Sequence, residues 1–261
     1  MAFLYLILFL VSNLAYSDSN TLLVLSAMQI ENDPVISLMT SKKSHRIDQV
    51  RYTEGMLSGY KVISTLTGIG EANAAIVTAL LVSRFHPAAV IFTGVAGALQ
   101  DNINYGDVVI ATRVFSDSFG RYTSRGPRFP GLLAGPIRRM PAPLVYTPDK
   151  NLLMVAKSIK KPHNFQIHFG QVATTQHFPF DKAEDDKLRR DKVLAISMED
   201  SGVMRACWLF QTPCLVIRAI SDNIYKHQQY THQKAKMAAN NAAIVLAGLI
   251  RNMGAKMDRS M

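Results

Sequence analysis

Three carboxylates stand where an apolar run of the sequence passes into a polar segment: Glu31, Glu199 and Asp222. A carboxyl group whose pKa is tuned by its surroundings can act as a general acid or a general base, so all three are candidates for proton transfer. Each also has a structural explanation. Glu31 and Glu199 would suit the first turn of a helix, where the dipole favours negative charge, and Asp222 would suit an N-cap. The strands and helices predicted around these carboxylates help to distinguish a catalytic role from a helix-capping one.

Short β-branched runs alternate with helical patterns along the chain. The predicted strands are 21–26, 61–66, 88–93, 107–114, 168–174, 193–197 and 214–220, and the predicted helices are 71–85, Met198–Phe210 and Gln233–Ile250, the last ending near Gly254. This alternation predicts an α/β fold with a largely parallel sheet covered by helices on both faces. In such sheets ligands bind at the carboxyl ends of the strands, which is where the three carboxylates stand.

Two glycine clusters follow predicted strands. Strand 61–66 runs into Thr67-Gly68-Ile69-Gly70, and strand 88–93 runs into Thr93-Gly94-Val95-Ala96-Gly97. Both are expected to be turns in which the backbone can approach a ligand closely. Neither matches GxGxxG or GxxxxGK[ST], so a dinucleotide site and a P-loop are poorly supported. Plain turn chemistry is the simpler explanation of a glycine cluster taken alone.

The motifs are more specific together than singly. In their order and spacing, TGIGEANAA, FTGVAGALQDNINYGDVVIA and SMEDSGVMRACWLFQTPCLVIRAISDN resemble the nucleoside phosphorylase and nucleosidase superfamily. The likeness extends roughly from Leu22 to Ala247 and is nearest to the 5′-methylthioadenosine/S-adenosylhomocysteine nucleosidase branch. It implies a single-domain three-layer α/β/α fold with a central mixed, largely parallel twisted sheet. It also implies a homodimer with active sites near the interface.

Two features separate hydrolysis from phosphorolysis. Hexameric phosphorylases of this superfamily have an arginine where this chain has Phe92, and a Gly-Asp-Pro-x-x-Arg segment that does not follow Thr21–Ser26 here. An anion without arginines or an amide nest would be poorly held. Ala27-Met28-x-x-Glu31 instead resembles the nucleosidase pattern, which implies hydrolysis of the N-glycosidic bond of an adenine-type purine nucleoside. A phosphate-dependent purine nucleoside phosphorylase, or a non-catalytic exported binding, storage or adhesin-type relative, is the alternative.

The resemblance gives each carboxylate a task. Breaking an N-glycosidic bond builds positive charge on the ribose and negative charge on the departing base. Asp222 would protonate N7 of the purine, Glu31 would take a proton from water, and Glu199 would accept hydrogen bonds from the ribose hydroxyls. A carboxyl in a dry pocket can hold its proton near neutral pH, which suits the acid. Glycoside hydrolysis divides the same roles between two carboxyls.

The resemblance also implies a set of substrate-binding residues: Met198, Glu199, Phe178, Pro179, Ala96, Gly97, Ser221, Arg218 and Tyr230. The ring of Phe178, with Pro179 beside it, would stack on the purine, and Tyr230 would cover the 5′ substituent. Arg218 would brace the acidic pair from the strand below, and Ser221 would orient the catalytic acid.

The chain departs from the nucleosidase pattern at several places. Val95 stands where Ser or Thr is frequent, Ser197 where a glutamate commonly precedes Met-Glu, and Asp200 where a small residue is usual. The segment 115–149, which in the family helps to build the 5′ pocket, has also diverged. The 5′ substituent is therefore open among adenosine, methylthioadenosine, adenosylhomocysteine and deoxyadenosine analogues. The arginine-rich loop 121–139 is expected to be solvated, with polyanion binding as the alternative.

The composition of the chain and its first residues indicate whether it is folded and where it is located. With 261 residues, 48% of them hydrophobic and 18% charged, the chain is not a disordered one, and its net charge of +10 does not bear on the fold. The apolar run Ala2–Val11 and the small residues of Ala15-Tyr16-Ser17 predict a signal peptide over 1–17. They predict export to a periplasm or the exterior, one domain over 18–261, and no stable membrane association after cleavage. A retained anchor and a buried first strand are the alternatives.

No cofactor is implied. His163, His168 and His177 lack HExxH spacing, and two cysteines are too few for a structural zinc site, so no metal site is predicted. Cys207 and Cys214 are predicted to be buried thiols, and a disulfide between them stays open in an exported protein. The expected partner is a small-molecule purine nucleoside.

Overall fold

The computed structural model describes residues 18–117, 121–123, 126–128, 132–137, 140–176, 178 and 182–257. The strands are β1 (Asp18–Ser26), β2 (Thr40–Ile47), β3 (Val50–Leu57), β4 (Tyr60–Leu66), β5 (Pro87–Ala98), β6 (Val108–Ser116), β7 (Arg121–Thr123), β8 (Gly126–Arg128), β9 (Leu132–Ile137), β10 (Met140–Pro143), β11 (Val145–Tyr146), β12 (Ile167–Thr174), β13 (Val193–Ser197) and β14 (Cys214–Asn223). The helices are α1 (Gln29–Leu38), α2 (Glu71–Phe85), α3 (Lys150–Lys157), α4 (Lys182–Arg190), α5 (Asp200–Leu209) and α6 (His232–Met257), and a 3₁₀ turn spans Ile224–Lys226. Within these ranges, no helix combines the length and the apolar character needed to cross a bilayer. The predicted signal peptide, 1–17, lies outside the described residues.

Strand β1 shows why the chain folds in three layers. Leu22 and Val24 belong to a core cluster shared with α1, α3 and α6, whereas Leu23 and Leu25 belong to a second cluster shared with α2 and α5. All four side chains are fully buried because both faces of the sheet are covered. The strand is therefore apolar without alternation, as expected for a parallel strand inside a sheet. The predicted α/β/α fold with a mixed, largely parallel sheet is confirmed.

The ten-stranded sheet has the order β11-β6-β12-β13-β5-β1-β4-β3-β2, and β14 pairs with both β5 and β6. The pairs β1–β4, β1–β5, β5–β14, β6–β12 and β12–β13 are parallel. The pairs β5–β13 and β6–β14 are antiparallel. Strands β5, β14, β6, β12 and β13 thus close into a ring, which the strand pattern does not predict because it does not identify pairing partners.

The observed elements correct the predicted ones at their ends. Strand β5 continues to Ala98, so the expected turn at 93–97 is wrong: this segment is a strand because β13 and β14 give it pairing partners. Helix α5 begins at Asp200, after a bend at Met198 and Glu199, and not at Met198. Helix α6 runs through Gly254 to Met257 because Met253 still packs against the core.

The sequence patterns miss α1 and the hairpin of β2 and β3. Pro34 lies inside α1, and a proline ordinarily argues against a continuing helix. Strand β2 is exposed along almost its whole length, so it has no apolar face to create a period of two. Lys42 and Lys43 lie on this edge strand, where lysines oppose further strand pairing. The helices α3 and α4 are also absent from the prediction.

Helices α2 and α5 cross closely at their N-terminal ends. A Cβ atom at Gly202 would overlap the carbonyl of Glu71, so only glycine allows this approach. The crossing places the N–H of Gly70 3.2 Å from Oε1 of Glu199. The packing of α2 against α5 on one face of the sheet therefore fixes the carboxylate of Glu199 just beyond the carboxyl end of β13.

Candidate active site

A cavity of about 340 Å³ opens at the carboxyl ends of β1, β5, β13 and β14. Its lining consists of Ala27, Met28, Glu31, Ile69, Val95, Ala96, Gly97, Phe178, Ile196, Ser197, Met198, Glu199, Ser221, Asp222 and Tyr230. A larger groove of about 610 Å³ between α1 and α6 contains none of the three carboxylates. Convergence of titratable groups, rather than size, identifies the smaller cavity as the candidate active site.

The cavity gathers most of the residues that the sequence suggests. Those on its wall are Glu31, Asp222, Met198, Glu199, Phe178, Ala96, Gly97, Ser221 and Tyr230. Arg218 lies behind the wall and is fully buried. Pro179 lies outside the described residues, so its suggested role stays a prediction.

Glu31 is anchored by the backbone. Its Oε2 accepts hydrogen bonds from the N–H groups of Ala27 and Met28, each at 2.9 Å, and its Oε1 accepts one from the N–H of Val95 at 2.7 Å. Burial raises the pKa of this carboxyl, whereas the charge of Arg218 and the backbone donors act in the opposite direction. Three backbone donors fit an ionised carboxylate, and a pKa raised towards neutrality suits a general base.

Gly94 provides the space in which Glu31 and Arg218 meet. A Cβ atom at this position would lie 2.5 Å from Nη1 of Arg218 and 2.7 Å from Cδ of Glu31. Real Cβ atoms are almost never found so close to another heavy atom. The glycine in this part of β5 is therefore needed for close side-chain approach and not for a turn.

Arg218 connects the carboxylates on the two sides of the cavity. Its Nη2 lies 3.0 Å from Oε2 of Glu199, and its Nη1 lies 3.7 Å from Oε1 of Glu31. Its Nε donates to Oδ1 of Asp200 at 2.8 Å, and the ring of Phe92 lies 4.4 Å from the guanidinium carbon. Burial alone would lower the pKa of Arg218, but the three carboxylates raise it above its ordinary value. The guanidinium is thus a permanently charged, immobile support.

Glu199 is held at its two oxygens by different donors. Oε1 accepts from the N–H of Gly70, and Oε2 accepts from Arg218 and, at 3.3 Å, from the N–H of Met198. Burial raises its pKa, the charge of Arg218 lowers it, and the charge of Asp200 raises it. The group reaches the cavity as a fixed acceptor for ligand hydroxyls.

Asp222 reaches the cavity through a bulge in β14. In the pairing with β5, Ile220 lies opposite Ala96 and Asp222 opposite Gly97, so Ser221 is an extra residue. The Ser221 hydroxyl lies 2.7 Å from Oδ1 of Asp222 and 3.3 Å from the Ala96 carbonyl. Burial raises the pKa of Asp222, and the Ser221 hydrogen bond and the charge of Lys234 oppose this effect. This carboxyl has far fewer donors than Glu31 and is the better candidate to carry a proton.

Two aromatic rings flank the mouth of the cavity. Phe178 is 57% exposed and Tyr230 is 39% exposed. Their ring centroids lie 6.1 Å apart with planes at 78°, an edge-on contact. Burial raises the pKa of Tyr230, and the charges of Glu31 and Asp222, which line the same cavity, raise it further. An exposed ring pair of this kind provides an apolar surface for a planar ligand.

Sequence reasoning missed several residues of the site. Ile69 lines the cavity and is 52% exposed, and its place in TGIG after β4 was the available signal. Ile196 forms part of the wall at the end of β13. Asp200, noted only as a departure from the family pattern, is fully buried against Arg218. No local pattern indicated that contact.

Cys207 and Cys214 are buried free thiols, as predicted, and form no disulfide with each other. Nε2 of His168 lies 3.1 Å from Oδ2 of Asp107. Within the described part of the chain, no group of three potential metal ligands occurs. The side chains of 121–139 lie outside the described residues, so the solvated loop stays a prediction, with polyanion binding as its alternative.

Comparison with known proteins gives one family. The family described as the phosphorylase superfamily matches residues 21–252. A 5′-methylthioadenosine/S-adenosylhomocysteine nucleosidase from Maridesulfovibrio salexigens is 31% identical over 232 residues, which are 87% of this chain and 97% of that protein. The nucleosidase of the same name from Bacillus subtilis is 31% identical over 239 residues, covering 86% of this chain and 96% of the relative.

Solved structures agree with the sequence relatives. The S-adenosylhomocysteine nucleosidase from Streptococcus pyogenes, in complex with 5-methylthiotubericidin, has a TM-score of 0.79 and 26% identity over 90% of this chain and 98% of its own. The 5′-methylthioadenosine/S-adenosylhomocysteine nucleosidase from Neisseria meningitidis, in complex with methylthio-immucillin-A, has a TM-score of 0.75 and 27% identity. That alignment covers 89% of this chain and 99% of the relative.

Proposed function

This chain belongs to the phosphorylase superfamily, and we propose that it hydrolyses the N-glycosidic bond of an adenine nucleoside such as 5′-methylthioadenosine or S-adenosylhomocysteine. One observation carries the proposal. Two buried carboxyls face one cavity but have different hydrogen-bond donors. Glu31 accepts from three backbone N–H groups, and Asp222 lies beside a single serine hydroxyl. Surroundings this different allow one carboxyl to be ionised while the other holds a proton, which is what acid and base catalysis in one site requires.

The reaction follows from this division. Asp222 donates its proton to N7 of the adenine as the bond between the base and C1′ breaks, so the base leaves neutral. Water adds its oxygen to C1′, and Glu31 accepts the proton that the water loses. Glu199 accepts hydrogen bonds from the ribose hydroxyls and places negative charge beside the cationic sugar. Free adenine and a ribose derivative are the products.

Water is the acceptor because the cavity is not built for phosphate. Its described lining contains no lysine, arginine or histidine. The guanidinium of Arg218, behind the wall, is already engaged by three carboxylates. The described lining thus presents carboxylates and no cationic side chain to a phosphate ion, which is unfavourable.

The mouth of the cavity suits a thioether-bearing 5′ substituent. Met28, Ile69 and Tyr230 contribute apolar surface there, and the Phe178 ring provides a face on which the purine stacks. Ala96 has only a methyl side chain and Gly97 has none, so these two lining residues leave space for the sugar and the base. We assign the purine to the Phe178 side and the 5′ substituent to the Met28 and Ile69 side.

The first experiment measures adenine release from methylthioadenosine, adenosylhomocysteine and adenosine, with and without phosphate. We expect phosphate-independent release, reduced about 10²–10⁴-fold in Asp222→Asn because the amide cannot donate a carboxylic proton. Asp149→Asn is the control, since Asp149 only caps α3 and asparagine also caps helices. Release that requires phosphate would identify a phosphorylase. Adenosine binding without any release would identify a non-catalytic binding protein.

We further propose a homodimer and an exported protein. The outward side of α2 exposes Ile76 to 67%, beside the exposed Ala72, which is an apolar surface that a second copy would cover. Sedimentation of the purified protein, with Ile76→Glu as the variant expected to be monomeric, tests the dimer.

Fractionation of cells and N-terminal sequencing test export, cleavage before Asp18 and release from the membrane. A mature chain that begins at Met1 would contradict the signal peptide.

A further inference from the structure

We propose that Asp200 is a positioning residue that fixes the guanidinium of Arg218 and, through it, the two cavity glutamates Glu31 and Glu199. The proposal rests on the nucleosidase function above. Asp200 is fully buried and is not part of the cavity lining, so it does not touch the substrate. Its effect on catalysis must therefore be transmitted through Arg218.

The contacts of Asp200 use both of its oxygens. Oδ1 lies 2.8 Å from Nε and 2.6 Å from Nη2 of Arg218. Oδ2 accepts a hydrogen bond from the hydroxyl of Ser197 at 2.6 Å. Ser197, the last residue of β13, thus fixes the rotation of the carboxylate, and the carboxylate fixes the edge of the guanidinium that faces α5.

The guanidinium transmits this position to the cavity because it is planar and rigid. On the side away from Asp200, Nη1 donates to the carbonyl of Val95 at 3.2 Å and lies 3.7 Å from Glu31. Nη2 is shared between Asp200 and Glu199. The Phe92 ring lies against the guanidinium, so the group cannot turn without losing several contacts together. Without Asp200, its Nε–H would be a buried donor with no partner.

Asp200 also sets the charge around Glu199. The charged groups facing Glu199 are Arg218 from β14, Glu31 from α1 and Asp200 itself, and the N–H groups of Gly70 and Met198 complete its surroundings. The negative charge of Asp200 raises the pKa of Glu199. Removing that charge should lower the pKa of Glu199, so that Glu199 stays ionised to lower pH.

The test is Asp200→Asn, which keeps the shape of the side chain and removes its charge. The pH profile of kcat/KM for adenine release is compared with that of the wild type and of Asp107→Asn. Asp107 is a suitable control because it is another buried carboxylate, which accepts from the N–H groups of Asn104 and Gln166 outside the cavity. We expect Asp200→Asn to lower kcat/KM about 10- to 100-fold, as a small misplacement of catalytic groups does.

The acid limb of the Asp200→Asn profile should move to lower pH, whereas Asp107→Asn should lower the melting temperature without moving the limb. An Asp200→Asn profile that superimposes on the wild type would overturn the proposal, whatever the change in stability. If the wild type releases no adenine, the proposed function fails instead. Calorimetric binding of adenosine then decides: a Kd raised about tenfold in Asp200→Asn supports the positioning role, and an unchanged Kd overturns it.

Discussion

Replacing Gly94 by alanine tests how tightly Glu31 and Arg218 are packed at the centre of the site. The added methyl carbon would lie 2.5 Å from Nη1 of Arg218 and 2.7 Å from Cδ of Glu31. Ordinary contact begins near 3.4 Å, so these atoms must retreat by about 0.9 and 0.7 Å. Gly94 does not have a positive φ, so the backbone itself accepts alanine and the cost is steric.

The size of the effect follows from what must move. Overpacking a buried site costs about 1–3 kcal/mol. Moving Glu31 by this amount also weakens its 2.7 Å bond to the Val95 N–H, and a hydrogen bond to a charged group contributes about 1.5–3 kcal/mol. We therefore expect a loss of about 3–5 kcal/mol in the free energy of unfolding. Adenine release should fall about 100-fold, because a shift near 1 Å disturbs the reacting geometry.

Urea denaturation followed by circular dichroism measures the stability, and Gly254→Ala is the matched control. A Cβ at Gly254 meets nothing closer than 3.9 Å, so alanine within α6 should stabilise the protein by about 0.5–1 kcal/mol. In a Glu31→Ala background the Gly94→Ala change should cost less, since half of the clash has gone. A Gly94→Ala protein within about 1 kcal/mol of the wild type and fully active would refute the steric reasoning.

Three further perturbations test separate parts of the site. Ser221→Ala removes a hydrogen bond that lowers the pKa of Asp222, so that pKa should rise. Because the general acid must be protonated, the alkaline limb of the kcat profile should then move to higher pH. A shift of that limb to lower pH would contradict the assignment of Asp222 as the acid. Phe178→Ala should raise KM at least about fivefold with little change in kcat, because stacking on a base contributes about 1–3 kcal/mol, and the exposed Phe210 provides a control alanine variant away from the cavity. Burial raises the pKa of all three cavity carboxyls, so the folded state binds more protons than the unfolded one. Their contribution to the free energy of unfolding should therefore fall as pH rises through and above the ordinary values of 3.8 and 4.5, which urea titrations of the wild type and Glu31→Gln can detect as a flatter pH dependence in the variant.

Local patterns predicted those elements whose sequence reflects burial on both sides or on one helical face. The helix 71–85 was predicted with its observed bounds, because its apolar residues recur at helical spacing over fifteen positions. Strand β1 was recognisable from an uninterrupted apolar run. The exposed strand β2 and the proline-containing helix α1 carry the opposite signals, and their formation depends on neighbours that the local sequence does not show.

The catalytic carboxylates could be predicted from the sequence, but the hydrogen bonds that hold them in place could not. Strand ends and the family resemblance indicated Glu31, Glu199 and Asp222. The bond between Arg218 and the Val95 carbonyl joins residues 123 positions apart, and that between Gly70 and Glu199 joins residues 129 apart. Contacts of this separation depend on the order of strands in the sheet, which periodicity leaves undetermined.

The closed ring of strands has a consequence for how the chain reaches its native state. Strand β14 fills the space between β5 and β6, yet it is the last strand in chain order among those described. Until it arrives, β5 and β6 each have an unpaired edge made of buried, apolar residues, a surface prone to association with other chains. Formation of the core must await contacts of very long sequence separation, which slows folding. A chain lengthening from its N-terminus therefore stays vulnerable to aggregation until Cys214–Asn223 has been made.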